Sequence, residues 1–280
     1  MTSTQEKLTA LCESRPFTVR YFVKNLRNGE IFTRGADEET PSASTRKISI
    51  MMAALKAVRE GRLDLDEPIA YEERLRAEVA SGVFRHLTPG ITLSLRDAVV
   101  GMIVLSDNVC TKMVLERLTL EEVDGYCKSI GMVGTHHRFL IPPLALAPDH
   151  ALGSVTTTTA SDQGMLLEAI LVAQDSETAA AKLGCTIELC RFALQTLKRQ
   201  VLRYGIASRL PFDLEIASKG GRGKRGRMDA GIVYQDGRPL YIITAFTDNV
   251  PQVMDDGTPG YAISIETLGK LSQICWSDFR

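Results

Sequence analysis

Strand-like runs occupy the two ends of this chain and helical periodicity fills the middle, an order that leaves few ways to bury a core. Near the N-terminus, Phe17-Thr-Val-Arg-Tyr-Phe-Val-Lys24 and Glu30-Ile-Phe-Thr-Arg34 alternate, and Arg27-Asn28-Gly29 between them supplies the turn chemistry of a hairpin. Near the C-terminus, residues 213–218, 230–234 and 240–246 read as strands, the last two joined around Gln235-Asp236-Gly237-Arg238. A short helix is expected over residues 7–14 and a terminal one over 261–278. An isolated hairpin is barely stable in water, so the simplest assembly is a single antiparallel sheet drawn from both chain ends. The expected fold is therefore α+β. An α/β domain would comprise residues 1–60 and 212–280, with an all-helical domain over 61–211 inserted between its halves.

In residues 45–59 the apolar side chains Ile48, Met51, Met52, Leu55 and Val58 recur at helical spacing, with further apolar residues between them. That pattern marks a helix buried on most sides, ended by Gly61. Further helical patterns occupy residues 95–105, 109–118, 120–130, 160–173 and 186–204. Residues 138–155 have no period and contain three prolines. A structureless stretch of that length inside a compact domain is more often functional than idle.

Composition excludes several classes of partner. A net charge of −1 over 280 residues gives no general attraction to nucleic acid or to an anionic membrane. No run approaches the roughly 20 apolar residues of a membrane span. The polar N-terminus is not a signal peptide, although a chain relieved of its leader would read the same. The six cysteines (Cys12, Cys110, Cys127, Cys185, Cys190, Cys275) are scattered without Cys-x-x-Cys pairs. Cys185 and Cys190 fall in a predicted helix, five apart, and do not face each other well enough to bridge. All six read as reduced thiols of a cytoplasmic protein. The four histidines have no metal-ligand spacing with carboxylates, so neither metal nor cofactor is expected.

Three short motifs could carry chemistry. Ser44-Thr45-Arg46-Lys47 puts a serine at a helix entrance and a lysine one turn on, along the same face. A serine hydroxyl is a weak nucleophile without an adjacent base, and a lysine becomes one when burial lowers its pKa. Ser106-Asp107-Asn108, between two helices, offers a hydroxyl, a capping carboxylate and an amide. Lys219-Gly220-Gly221 ends a strand with a fixed charge beside glycines that let a ligand approach the backbone. Each motif also has an ordinary reading: an N-cap serine with a surface lysine, a capping turn, a basic hairpin tip. Five cations between Lys219 and Arg227 raise a phosphate- or nucleic-acid-binding loop as a rival, but no aromatics interleave with them to stack bases.

Order and spacing separate these motifs from coincidence. Ser44, Ser106 and Lys219 succeed one another at 62 and 113 residues, the arrangement of the penicillin-recognising serine enzymes. Gly61-Arg-Leu-Asp-Leu-Asp-Glu-Pro-Ile69 and His86-Leu-Thr-Pro-Gly-Ile-Thr-Leu93 also resemble the corresponding stretches of class A β-lactamases, and the resemblance runs from about residue 16 to the C-terminus. It implies a cleft between two domains and a small-molecule substrate, a β-lactam or a related amide or ester, with antibiotic resistance as one role. Ser44 would attack the carbonyl with Lys47 as a base. Ser106 would pass a proton to the leaving nitrogen, aided by Lys219. Asn108 would hold the substrate's side-chain amide. The oxyanion would sit between the backbone N–H of Ser44 and one shortly after Gly221. Arg227 would bind a substrate carboxylate, with Arg222 and Arg225 as competitors, and Phe84 stands where the family often places an aromatic wall.

Two departures limit the resemblance. Gly220 stands where the family usually carries threonine or serine. The loop Arg138-Phe-Leu-Ile-Pro-Pro-Leu-Ala-Leu-Ala-Pro-Asp-His150 lacks the glutamate that activates the deacylating water, whose position falls near Leu140. Asp149, His150 or the His136-His137 pair are the available substitutes. The leading expectation is a serine hydrolase with slow deacylation. The alternatives are an intracellular acyltransferase or covalent acyl-binding protein of the same fold, and a non-catalytic derivative that binds a partner through residues 219–227.

Overall fold

The computed structural model of the protein describes residues 2–280. Helix α1 (Thr4–Glu13) starts at a reciprocal capping box between Ser3 and Glu6. Strands β1 (Thr18–Asn25) and β2 (Ile31–Arg34) form the expected hairpin, with Gly29 at φ +79° in its turn. After β3 (Thr40–Pro41), a 3₁₀ turn over Ala43–Arg46 leads into α2 (Lys47–Arg59). Then come β4 (Pro68–Ala70), β5 (Thr92–Ser94), α3 (Leu95–Val104), α4 (Asn108–Leu115) and α5 (Leu120–Ser129). A largely irregular stretch precedes β6 (Thr157–Thr158), α6 (Ala160–Ala173), α7 (Glu177–Lys182) and α8 (Ile187–Lys198). The chain closes with β7 (Ile216–Arg222), β8 (Arg227–Gln235), β9 (Arg238–Asp248) and α9 (Gly260–Phe279).

The five long strands make one antiparallel sheet in the order β2-β1-β9-β8-β7, so both chain ends contribute, as the terminal alternation implies. Alternation then decides which face each residue buries. Ile243 and Ala245 of β9 join Leu8, Val19, Leu268 and Leu271 under α1 and α9. Ile242 points the other way, into the core formed with α2, α3, α6 and α8. The β8–β9 hairpin turns at Asp236 and Gly237, φ +51° and +72°, the left-handed pair that matches strand twist. In α2 every residue from Lys47 to Leu55 is buried, which is why its apolar pattern extends around the helix.

The structure departs from the sequence expectation in several places. Strand β7 covers Ile216–Arg222 rather than 213–218, so Lys219-Gly220-Gly221 lies within the strand instead of ending it. Helix α8 ends at Lys198 rather than continuing to residue 204. There Gln200 is buried; its amide donates to the carbonyl oxygens of Ile103 (3.1 Å) and Ser218 (3.4 Å) and accepts from the Leu202 N–H. Tying this segment to α3 and β7 supplies its polar groups with partners that a helix would not meet. Cys185 lies before α8 rather than inside it, and all six cysteines are free and buried. Helix α7 and the paired strands β3–β6 and β4–β5 are additions, too short to leave a periodic signal.

Candidate active site

Ser44 sits in the 3₁₀ turn ahead of α2, and its position is over-determined. Ser42 Oγ donates to the Thr156 carbonyl (2.9 Å), and Thr45 Oγ1 to the Ser42 carbonyl (2.6 Å). Ala43 is held at φ +42°, a conformation costly for a residue with a Cβ. Strand β7 runs alongside this turn. A Cβ on Gly221 would come within 3.0 Å of the Ser44 nitrogen and of Ala43 Cβ, so the close approach requires a glycine. Ser106 also has a positive φ, +55°, and Asp107 caps α4 by accepting from the N–H groups of Val109 and Cys110.

Two buried lysines converge on one hydroxyl. Lys47 Nζ lies 2.8 Å from the Ser106 carbonyl, 3.3 Å from Ser106 Oγ and 2.8 Å from Asn108 Oδ1. Lys219 Nζ approaches the same Ser106 Oγ from β7 at 2.9 Å and also donates to the Gly220 carbonyl. Burial holds Lys47 well below the usual lysine range, and the charges of Lys219 and Arg46 depress it further. Burial brings Lys219 down to about 7 against the opposing pull of Asp229, whose own carboxyl burial raises to about 7. Asp229 faces Gly220 across β7–β8 and accepts from the Ile206 N–H. A neutral Lys47 can accept a proton from Ser106 while Lys219 donates to it, which makes a continuous proton path. With its oxygen turned to Lys47, the Asn108 amide leaves its NH₂ to face the cleft.

The cleft beside these groups has a volume of about 330 Å³. Ser44, Ser106, Asn108 and Arg227 line it, whereas Lys47 and Lys219 lie beneath its floor and Gly221 abuts the Ser44 turn. Pro142, Pro143, Leu144 and Leu146 of the long irregular segment form an apolar wall. Arg222, Lys224 and Arg227 stand at the rim, and none of them makes an ion pair among the described residues. Arg225 is turned away, held by Asp248 (2.7 Å) and by Asn249 and the His150 carbonyl. Phe84 is outside the lining, edge-on to Tyr71 and packed on the core. Of the candidate bases only His150 lines the cleft. Asp149 is exposed, His136 pairs with Lys128 and Glu39, and His137 is buried against Ser49.

Arg46 is the residue that motif reading passed over. It is 2% exposed, lines the cleft and has no carboxylate partner. Its guanidinium donates to the carbonyl oxygens of Phe139 and Leu140 and, at 3.2 Å, to Thr156 Oγ1. Burial lowers its pKa to about 10. A second cation beside Lys47 at the entrance of a helix buried on most sides is the one available signal in sequence, but its partners are backbone atoms of an aperiodic segment.

The profile of the "Beta-lactamase enzyme family" matches residues 3–279. Among solved structures, a β-lactamase from Sphaerobacter thermophilus superposes with a TM-score of 0.81 at 22% identity, covering 98% of this chain and 95% of that one. A single-substitution variant of PBP-A, described as an acyl-enzyme complex with penicillin G, gives 0.79 at 22% identity, over 99% and 96% of the two chains. An ancestral class A β-lactamase gives 0.77 at 20% identity, over 99% and 100%. No curated protein sequence matches.

Proposed function

Because the chain belongs to the β-lactamase enzyme family, we propose that it works as a serine hydrolase of the β-lactamase type whose nucleophile is Ser44. The carrying observation is the convergence of Lys47 and Lys219 on Ser106 Oγ, 2.9 Å from Lys219 Nζ. Neutral Lys47 takes the Ser44 proton as Oγ attacks an amide or ester carbonyl. Ser106, between the two amines, delivers a proton to the leaving nitrogen. The oxyanion meets the Ser44 N–H and that of Arg222, the residue after Gly221. The Asn108 NH₂ holds a substrate carbonyl, and Arg227 with Arg222 holds an anionic group. The rim cations make no ion pair among the described residues, which favours a carboxylate-bearing substrate.

No helix among the described residues is long and apolar enough to cross a membrane. Six buried free cysteines favour a reducing, cytoplasmic setting. Gly220, in place of a hydroxyl residue, removes one contact to the substrate carboxylate.

A second reading draws on the absence of any carboxylate in the cleft lining. Without a base for water the acyl-enzyme is long-lived, and the acyl group stays or passes to an amine. Intact-protein mass spectrometry after mixing with a penicillin and a chromogenic cephalosporin tests both readings. An adduct that decays within seconds means a hydrolase, and one that persists means a covalent binder or transferase. Absence of any adduct or product removes β-lactams as substrates.

Acylation should follow a bell in pH. It rises as Lys47 deprotonates, below the ordinary lysine range, and falls above about pH 7 as Lys219 loses its charge. Adduct formation rates between pH 5 and 10 check this. A rate still climbing at pH 9 would remove Lys219 from the proton path.

A further inference from the structure

We propose that Arg46 is a positioning residue that clamps the Phe139–Leu140 backbone over the nucleophile turn and thereby holds residue 140 away from the acyl-enzyme. The inference rests on the acyl-enzyme reading above and goes beyond it, because it assigns the orientation of residue 140 to an arginine between the nucleophile and its base.

The geometry is specific. A buried guanidinium without a carboxylate is costly and persists only where its donors are matched. Here they are matched by the backbone of the irregular segment, two successive carbonyls and Thr156 Oγ1, not by any acid. Turning both carbonyls inward fixes the direction of the Leu140 side chain between them. Leu140 is 47% exposed and absent from the cleft lining. A carboxylate placed on that residue would face solvent while the clamp holds. The same guanidinium lies close enough to Lys47 to lower its pKa, so one residue favours acylation and opposes hydrolysis.

Hydrolysis of the Ser44 ester forms a bond from a water oxygen to the carbonyl carbon and breaks the bond to Ser44 Oγ. One water proton passes to Oγ, and the other leaves with the released acid. Transfer to a primary amine forms the amide instead, with the amine proton returned to Oγ. Attack by water needs a base beside it; the clamp denies a base at residue 140 access to the ester.

The test follows the penicillin adduct by intact mass in wild type, Arg46→Met, Arg46→Lys, Leu140→Glu and the double variant Arg46→Met with Leu140→Glu. Leu140→Glu alone should leave adduct decay within about threefold of wild type. The double variant should decay at least about tenfold faster than either single variant, the contribution of a newly placed base. In Arg46→Met the acid limb of the acylation profile should move to higher pH, because a nearby positive charge is gone. Arg46→Lys should restore that limb. Arg46→Gln, which can still reach one carbonyl, serves as a second variant if Arg46→Met is unstable, and the same shift is expected. Rapid decay in Leu140→Glu with Arg46 intact overturns the clamp, as does an unmoved acid limb in both Arg46→Met and Arg46→Gln. In either case an adduct absent from Ser44→Ala leaves the acyl-enzyme reading standing. If wild type itself forms no adduct with β-lactams or reactive esters, both proposals fall.

Discussion

Ser44→Ala should form no adduct with any acyl donor, with acylation reduced by roughly 10⁴-fold or more. The expectation comes from what the substitution removes and what it leaves. The Lys47, Ser106, Asn108 and Lys219 side chains bond to one another and not to the Ser44 hydroxyl, so their arrangement does not depend on it. The turn is held by Ser42, Thr45 and the φ of Ala43, all unchanged. Ser44 is partly exposed, and losing its hydroxyl leaves no buried partner stranded. Stability should therefore stay within about 0.5 kcal/mol. Intact mass and a thermal melt of the same sample measure both quantities. A variant that melts normally and still acylates would assign the nucleophile elsewhere.

Lys47→Met should lower acylation by about 10³-fold, within the usual range for loss of a general base. Methionine approximates the volume of lysine in the fully buried part of α2 and removes an amine that burial already disfavours as a cation. Ser106 and Asn108 lose their shared partner, so part of the effect comes from looser positioning. Lys47→Arg separates the two contributions. A guanidinium supplies charge and donors but cannot give up its proton near neutral pH. If Lys47 acts as a base, arginine fails to rescue; if it only positions Ser106, arginine restores much of the rate. Adduct formation rates for the three proteins decide between these outcomes.

Much of the scaffold was legible because it depends on periodicity. Alternation in residues 17–24 and the β-like apolar run over 240–246 identified strands β1 and β9, although nothing local said that these would pair with each other. The spacing of Ile48, Met51 and Leu55 identified α2, and the three-residue interval placed Ser44 and Lys47 one turn apart. The error at the end of α8 arose because Val201 and Leu202 continue an apolar pattern, whereas Gln200 finds its hydrogen bonds in α3 and β7. Sequence favoured Arg227 over its competitors Arg222 and Arg225, but only the fold distinguished Arg225, occupied by Asp248, from Arg222 and Arg227, which line the cleft.

The sequence alone therefore determined the strand–helix–strand order, the family resemblance and the residue types available for acyl transfer, since these follow from composition at fixed short intervals. Only the tertiary structure decided that Lys219 meets Ser106 across 113 residues, that two lysines are buried deeply enough to lose basicity, and that Arg46 grips the Phe139–Leu140 backbone. The physical reason is that pKa, hydrogen-bond pairing and solvent access are set by groups adjacent in space. In this chain those groups come from β7 and β8 at one edge of the sheet, from the turn ahead of α2, from the capping turn between α3 and α4, and from a segment without periodicity.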